Sequence, residues 1–482
     1  QSLSRYKILV LGLAFSFFPC SMESVVATEE YKQKALTSIE NRSSDYENLA
    51  QKIWQLAEVG YQEVESSSLL QSELARAGFS IEAGVAGIPT AFVASYGQGR
   101  PVIGILAEYD ALPGFSQDRV PERKPIIQDG AGHACGHHLL GTASTAAAIA
   151  VREVLADFNL PGTIRLYGTP AEEGGSGKVY MARAGLFDNV DAVLHWHPGN
   201  KNKVRHISNK ANKSAKFRFF GRAAHTGSPH RGRSALDGVE AMNDMVNLLR
   251  EHVPEETRFS YIITNGGTAP NVVPEFAEVY YYVRHPEISQ LEQIWERVVA
   301  TARGAALGTD TRMEYEVIHG NYNILPNETL VQVVDSNLRL VGGINYTQTE
   351  YQFAQAIRQS LEDSDLELGS ESEIQPLEFI QAGSSTDVGD ISWLVPTAGF
   401  HTATFVPGTS AHTWQAVAAG GMSIGTKGMI VAAKTLALTT IDLLTDSSTI
   451  EKARLELEKK KGKDFKYKPL LGDRDPPLDY RR

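Results

Sequence analysis

Cysteine is nearly absent from this chain of 482 residues: Cys20 and Cys135 are the two it has. A disulfide framework is thereby excluded. Cys20 falls in an N-terminal apolar segment, so Cys135 is the one thiol of the body of the chain. Positive charge is also in deficit, with 46 Lys+Arg against 57 Asp+Glu and a net charge of −11. Such a balance argues against nucleic acid or an anionic membrane as a partner. The deficit is uneven, because residues 447–482 hold eleven basic and seven acidic side chains, a net +4 against −15 for the rest. No internal repeat of solenoid period occurs, and no nucleotide or pyridoxal motif is found. The apolar run over 8–18 is too short to span a bilayer comfortably. With Arg5 and Lys7 before it and Val25-Val26-Ala27 after it, the run reads as a secretory signal, residues 1–27, cut before Thr28. The mature chain is then expected outside the cytoplasm, in a periplasmic or extracellular space. Without such a cut it would be cytoplasmic.

What is present is globular: 42% hydrophobic and 21% charged residues, in a chain long enough for two domains. Helical periodicity runs over 31–77. Strands follow over 91–96 and 102–107, the second apolar throughout, as in a strand buried on both faces. It ends in Glu108-Tyr109-Asp110-Ala111-Leu112-Pro113. An Ala-rich helix over 139–156, a strand over 163–168 and a short strand over 192–194 continue the alternation. The pattern predicts a mostly parallel α/β sheet. In such sheets ligands gather beyond the carboxyl ends of the strands, which is where Asp110, Glu172, Glu173 and His197 fall.

Between 209 and 325 the rhythm becomes β-α-β-β-α-β, the order of a ferredoxin-like unit. The expected organisation is a catalytic domain in two parts, 28–208 and 326–446, with 209–325 inserted between them. A charged helix over 451–461 and a Pro-containing tail close the sequence, either solvated or folded over the body.

The chemistry lies at the strand ends. Cys135 and His137, in G-H-A-C-G-H-H, are two apart in a Gly-containing loop, so both can turn to one point. The start of the next helix favours the thiolate there. Glu172 and Glu173 end the run T-I-R-L-Y-G-T-P-A-E-E-G-G, and His197 lies in H-W-H-P. A thiolate, imidazoles and two carboxylates can bind a divalent metal and still leave a base to activate water. A lone His is more often a core residue, and adjacent glutamates more often a solvated helix start. Four such residues at successive strand ends are not explained that way together. His412, in S-A-H-T-W-Q, is a further candidate.

At this point the chain resembles a known family. H-A-C-G-H, P-A-E-E-G-G, the H-P after a strand, G-R-A-A-H-T-G-S-P-H and S-A-H-T-W-Q are similar to motifs of the metallopeptidases and amidohydrolases that include aminoacylases and N-acyl-amino-acid amidohydrolases. The likeness extends over about 45–468. It implies that Cys135, His137, Glu173, His197 and His412 hold one or two divalent metal ions, zinc or manganese first. It implies that Glu172 is the general base and that Asp110 orients a metal-bound imidazole. The inserted unit would be a lid that also pairs two subunits into a homodimer. His225 would reach the neighbouring active site, Asn271 would help hold the substrate, and Arg284 would hold its carboxylate. A related second subunit type remains open. The implied substrate is a small acyl amino acid, with an aromatic acyl group such as p-aminobenzoyl favoured and dipeptides as an alternative. Many members carry Asp where this chain has His138, which leaves that residue's role open.

Overall fold

The computed structural model describes residues 20–362 and 366–481, with side chains from residue 26 onward. The basic start and apolar run of the expected signal lie outside the described residues. Val25, Val26 and Ala27 fall within the first helix, Cys20–Asn41. Two more helices, Ser43–Leu56 and Val64–Arg76, complete the helical segment.

The larger body is built on a seven-stranded sheet. Its strands are β1 (Ser80–Ala83), β2 (Phe92–Gln98), β3 (Val102–Ala107), β4 (Gly162–Gly168), β5 (Ala192–Gly199), β6 (Lys203–Val204) and, late in the chain, β13 (Thr397–Ala403). They lie in the order β1-β2-β4-β3-β5-β13-β6. The inner strands β4, β3, β5 and β13 are parallel neighbours, while β1, β2 and β6 pair antiparallel at the edges. The sheet is therefore mixed, with a parallel centre, and not parallel in most of its pairings. The reason is in the connections. A parallel crossover needs about a dozen residues, and the short turns that lead from β1 to β2 and from β5 to β6 cannot supply one.

Two helices cover the centre of this sheet. His137–Asp157 and Ser423–Thr445 are long and apolar enough to cross a membrane, yet 83% and 78% of their apolar windows are buried in the protein. Alanines such as Ala143, Ala147 and Ala150 on the first of them, all fully buried, allow close packing on the sheet. Their apolar length serves the core.

The chain leaves this body after β7 (Ile207–Ser208) and enters the inserted unit. There β8 (Ala211–Phe220), the helix Ala235–Leu249, β9 (Arg258–Asn265), β10 (Phe276–His285), the helix Ile288–Gly308 and β11 (Arg312–Asn321) follow in order. The four strands form an antiparallel sheet ordered β11-β8-β10-β9. Along β10, Val279, Tyr281 and Val283 are buried while Tyr280, Tyr282 and Arg284 are half-buried. This two-residue period marks a sheet with one covered face. The unit has its own core around Phe217, Phe219, Tyr281 and Trp295.

The tail is folded over both bodies. After the helix Ser447–Lys461, Leu470 joins the core of the inserted unit and Leu471 that of the larger body. Tyr467 donates to Asp390 at 2.8 Å. Further on, the Tyr480 hydroxyl and the Arg481 guanidinium both donate to the Glu173 carbonyl, at 2.9 and 2.8 Å. A short strand β12 (Ile380–Gln381) pairs with β7 near the junction of the two bodies.

Candidate metal centre and active site

The parallel strands deliver their polar ends to one place. Glu108 and Asp110 follow β3, Glu172 and Glu173 follow β4, and His197 lies within β5. Cys135 and His137 arrive on the turn that opens the helix His137–Asp157. Gly136 between them has φ +75°, and a Cβ there would lie 2.7 Å from Pro198. Only glycine accepts both the left-handed backbone and the close approach. That turn is what aims Cys135 and His137 at the same point.

Cys135 Sγ lies 3.4 Å from His197 Nε2, and His412 Nε2 lies 2.8 Å from Glu173 Oε1. Ligand atoms of Cys135, His137 and His197 all fall within 4.8 Å of one another, and so do those of Cys135, Glu173 and His412. The two triads share Cys135. Burial, with Glu173 and Glu172 nearby, raises the Cys135 thiol above its ordinary range, contrary to the thiolate that the helix start was expected to favour. Once deprotonated by a bound ion, it would form with the imidazoles and a carboxylate the donor chemistry that suits a borderline-soft divalent metal. Two further buried atoms fit the same purpose: His137 Nε2 and Glu108 Oε2 face each other at 3.2 Å, and neither has a hydrogen-bond partner. These residues therefore fit a divalent metal.

Asp110 is fully enclosed behind them. Its Oδ1 lies 2.9 Å from His137 Nδ1, and its Oδ2 accepts from the Glu173 backbone N–H at 3.0 Å. Burial raises the Asp110 carboxyl, but the adjacent His137 outweighs it and holds the group below its ordinary range. One carboxylate thus fixes an imidazole and the glutamate loop together. Glu172, next to it, is half-buried. Burial, reinforced by the negative fields of Glu108 and Glu173, keeps its carboxyl well above the usual range.

Beneath the site is a cluster that the sequence reading did not single out. Lys178 is fully buried and bridges Glu108 Oε1 at 2.7 Å and Asp387 Oδ1 at 2.8 Å. Burial disfavours the Glu108 charge, yet Lys178 and His137 prevail and bring its carboxyl down to about 2. The available signals were weak: a Glu at the end of a fully apolar strand, and a Lys two residues after Gly-Gly-Ser. Asp387 also accepts from the Lys178 backbone N–H, through Oδ2 at 3.0 Å. His138 points elsewhere, with Nε2 3.0 Å from the Gly420 carbonyl. The His195 ring is packed against Gly399.

A cavity of about 560 Å³ opens over the donor set. Its wall includes Arg205 and His401, neither anticipated from sequence. His401, on β13, lies opposite His197 in the sheet register, with Nδ1 3.1 Å from the His197 carbonyl. Among the residues lining this cavity, none of His225, Asn271 and Arg284 is present. His225 and Asn271 are exposed and adjacent on the inserted unit, where the Thr226 N–H donates to the Asn271 carbonyl at 3.2 Å. Arg284 stacks its guanidinium 5.3 Å from the Tyr282 ring centre. Within one chain, then, Cys135, His137, Glu172, Glu173, His197 and His412 come together with Asp110 behind them, and the three residues of the inserted unit stay apart.

The chain is 42% identical over 447 residues to the B-type subunit of p-aminobenzoyl-glutamate hydrolase from Escherichia coli, covering 87% of this chain and 93% of that protein. It is 29% identical over 452 residues to Xaa-Arg dipeptidase of Mus musculus, covering 90% and 94%. The fold is shared with a dinuclear metal-binding peptidase of the M20 family from Bacillus subtilis, at a TM-score of 0.56 and 19% identity over 84% of this chain and 99% of that one. Residues 104–366 match the model of Peptidase family M20/M25/M40. The chain belongs to that family.

Proposed function

We propose that the protein is a metal-dependent amidohydrolase that cleaves the amide bond of an N-acyl amino acid, p-aminobenzoyl-glutamate or a related aroyl amino acid. The observation that carries this reading is the meeting of two donor triads at Cys135 with Glu172 beside them. One or two divalent ions, zinc or manganese, would be held by Cys135, His137 and His197 and by Cys135, Glu173 and His412. Such an ion polarises the scissile carbonyl and makes water more acidic. Glu172 takes the proton of the attacking water and returns it to the departing amine nitrogen, a shuttle suited to a carboxyl whose affinity for protons is raised. Asp110 keeps His137 in the tautomer whose Nε2 faces the metal position.

The inserted unit acts, in this proposal, as a ferredoxin-like lid and dimerisation module. Its edge strand β9 exposes Ile262 and Ile263, and its helix Ala235–Leu249 exposes Met245 and Leu248. An unpaired apolar edge beside an apolar helix face is a surface for a second copy. His225 and Asn271 would then serve the partner's cavity, with His225 donating to the developing oxyanion. Because the Escherichia coli relative is one subunit of its hydrolase, pairing with a related second subunit is the alternative assembly. Export with cleavage before Thr28 completes the proposal.

The test pairs Glu172→Gln with Glu173→Gln, reading metal content and turnover of p-aminobenzoyl-glutamate. Glu172→Gln is expected to keep its metal and to lose roughly a hundred- to ten-thousand-fold in rate. Glu173→Gln is expected to lose metal as well. Equal metal loss in both would show that base and ligand have been wrongly assigned.

A further inference from the structure

Arg205 stands in the link between β6 and β7. Its backbone is pinned, the N–H donating to the Gly399 carbonyl at 2.8 Å, so the side chain springs from a fixed point. Among the described residues its guanidinium makes no hydrogen bond and no ion pair, and its Nε is buried without a partner. It lines the same cavity as Cys135, Glu172 and His197. The residue thus faces the same cavity as the donor set and the base, yet is paired with neither.

Arg205 is half-buried, yet its Nε is enclosed without a partner; leaving such a charged group unmatched costs free energy that an anionic ligand offsets. The rest of the wall points to the same ligand. Apart from the donor groups and Glu172, the charged residues lining the cavity are Lys201, Lys203 and Arg205, all cationic. Lys203 has only a distant acidic neighbour, Glu378 at 3.8 Å. Such a wall attracts a carboxylate and repels the guanidinium of an arginine-containing dipeptide. Ile207, Ile380 and Phe405 form apolar ground beside it, suited to an aryl group.

We propose that Arg205 is a specificity-determining residue that holds a carboxylate of the amine-side amino acid, so that the cavity takes anionic acyl amino acids. This rests on the amidohydrolase reading above and assigns carboxylate recognition to the chain's own cavity, where the sequence had placed it at Arg284. A planar guanidinium can grip a carboxylate with two parallel N–H···O bonds. Holding that group fixes the scissile carbonyl relative to Glu172.

The experiment compares p-aminobenzoyl-glutamate with p-aminobenzoyl-glutamine and with the α-amide of the glutamate compound, in the metal-loaded protein and in Arg205→Ala and Arg205→Lys. The wild type is expected to favour the free diacid over one of the two amides by more than tenfold in kcat/KM. Arg205→Ala should lower kcat/KM for the diacid roughly ten- to hundredfold, the range of a lost charge-assisted bond, mainly through KM. It should bring the ratio to the discriminated amide close to one. Arg205→Lys should recover part of the ratio, metal content should stay at the wild-type value in both variants, and the unfolding midpoint should not fall in either. A ratio unchanged in Arg205→Ala, or equal losses for all substrates, would overturn the assignment. So would a ratio abolished by Arg284→Ala and left intact by Arg205→Ala. Failure of the metal-loaded wild type to hydrolyse any of the compounds would instead defeat the amidohydrolase reading on which the proposal rests.

Discussion

Replacing Asp110 by Asn isolates the consequence of one buried carboxylate serving two neighbours. The exchange is nearly isosteric, so packing around a fully enclosed site should hold. The carboxylate now accepts from two donors, His137 Nδ1 at 2.9 Å and the Glu173 N–H at 3.0 Å. An asparagine has one acceptor oxygen, and its NH2 must face one of the two donors. One bond is therefore lost and replaced by an N–H pointing at an N–H. A buried hydrogen bond to a charged group contributes about 1.5–3 kcal/mol, and removing an orienting partner of a metal ligand typically costs about ten- to a hundredfold in metal affinity. The variant is expected to bind metal in that weaker range, measured by competition with a chromophoric chelator, and to lose turnover even at saturating metal because either His137 or the Glu173 backbone is no longer held. Far-UV circular dichroism should not change. If chelator competition gave wild-type affinity and turnover were also retained, the role assigned to Asp110 would be wrong.

Two further outcomes follow from the proposed assembly and location. Mixing an inactive His225→Ala chain with an inactive Glu172→Gln chain should restore part of the activity, because mixed dimers would contain one site with both groups intact. A fully active monomer in analytical ultracentrifugation would remove the shared site. N-terminal sequencing of protein from a periplasmic or external fraction should begin near Thr28. Uncleaved protein confined to the cytosol would refute export.

The candidate donor groups that the structure brings together were readable in the sequence because most of them travel in short local motifs. Cys135 and His137 share one turn, Glu172 and Glu173 are neighbours, and His197 sits beside a proline after an apolar strand. The alternation of strand and helix likewise gave the central strands β3, β4 and β5. Short edge strands escaped: β1 has four residues and no buried one, so it carries no apolar period to detect. Glu108, Lys178 and Arg205 escaped for another reason. A single charged residue reads as solvated surface until the fold encloses it, and the enclosure comes from segments such as Asp387 that are remote in sequence. The tail could not be decided beforehand because its apolar residues, Leu470 and Leu471, are flanked by charge and gain burial only against the surfaces of the two bodies.

The same tail bears on how those bodies can move. Bodies joined by separated linkers rotate about the line through them, and a third tie away from that line would lock them. Here the crossings converge. The outgoing and returning connections touch, with the Ile324 N–H donating to Asn209 Oδ1 at 2.6 Å and Ser208 Oγ to the Ile324 carbonyl at 2.9 Å. The tail passes at the same spot, where Tyr322 donates to the Lys468 carbonyl at 2.8 Å and Leu470 abuts Gly320. Three ties gathered at one place behave as a ball joint, with no hinge axis prescribed by the connections. Any swing of the inserted unit would then take its direction from what the unit meets at its far end, a substrate or the second copy proposed above.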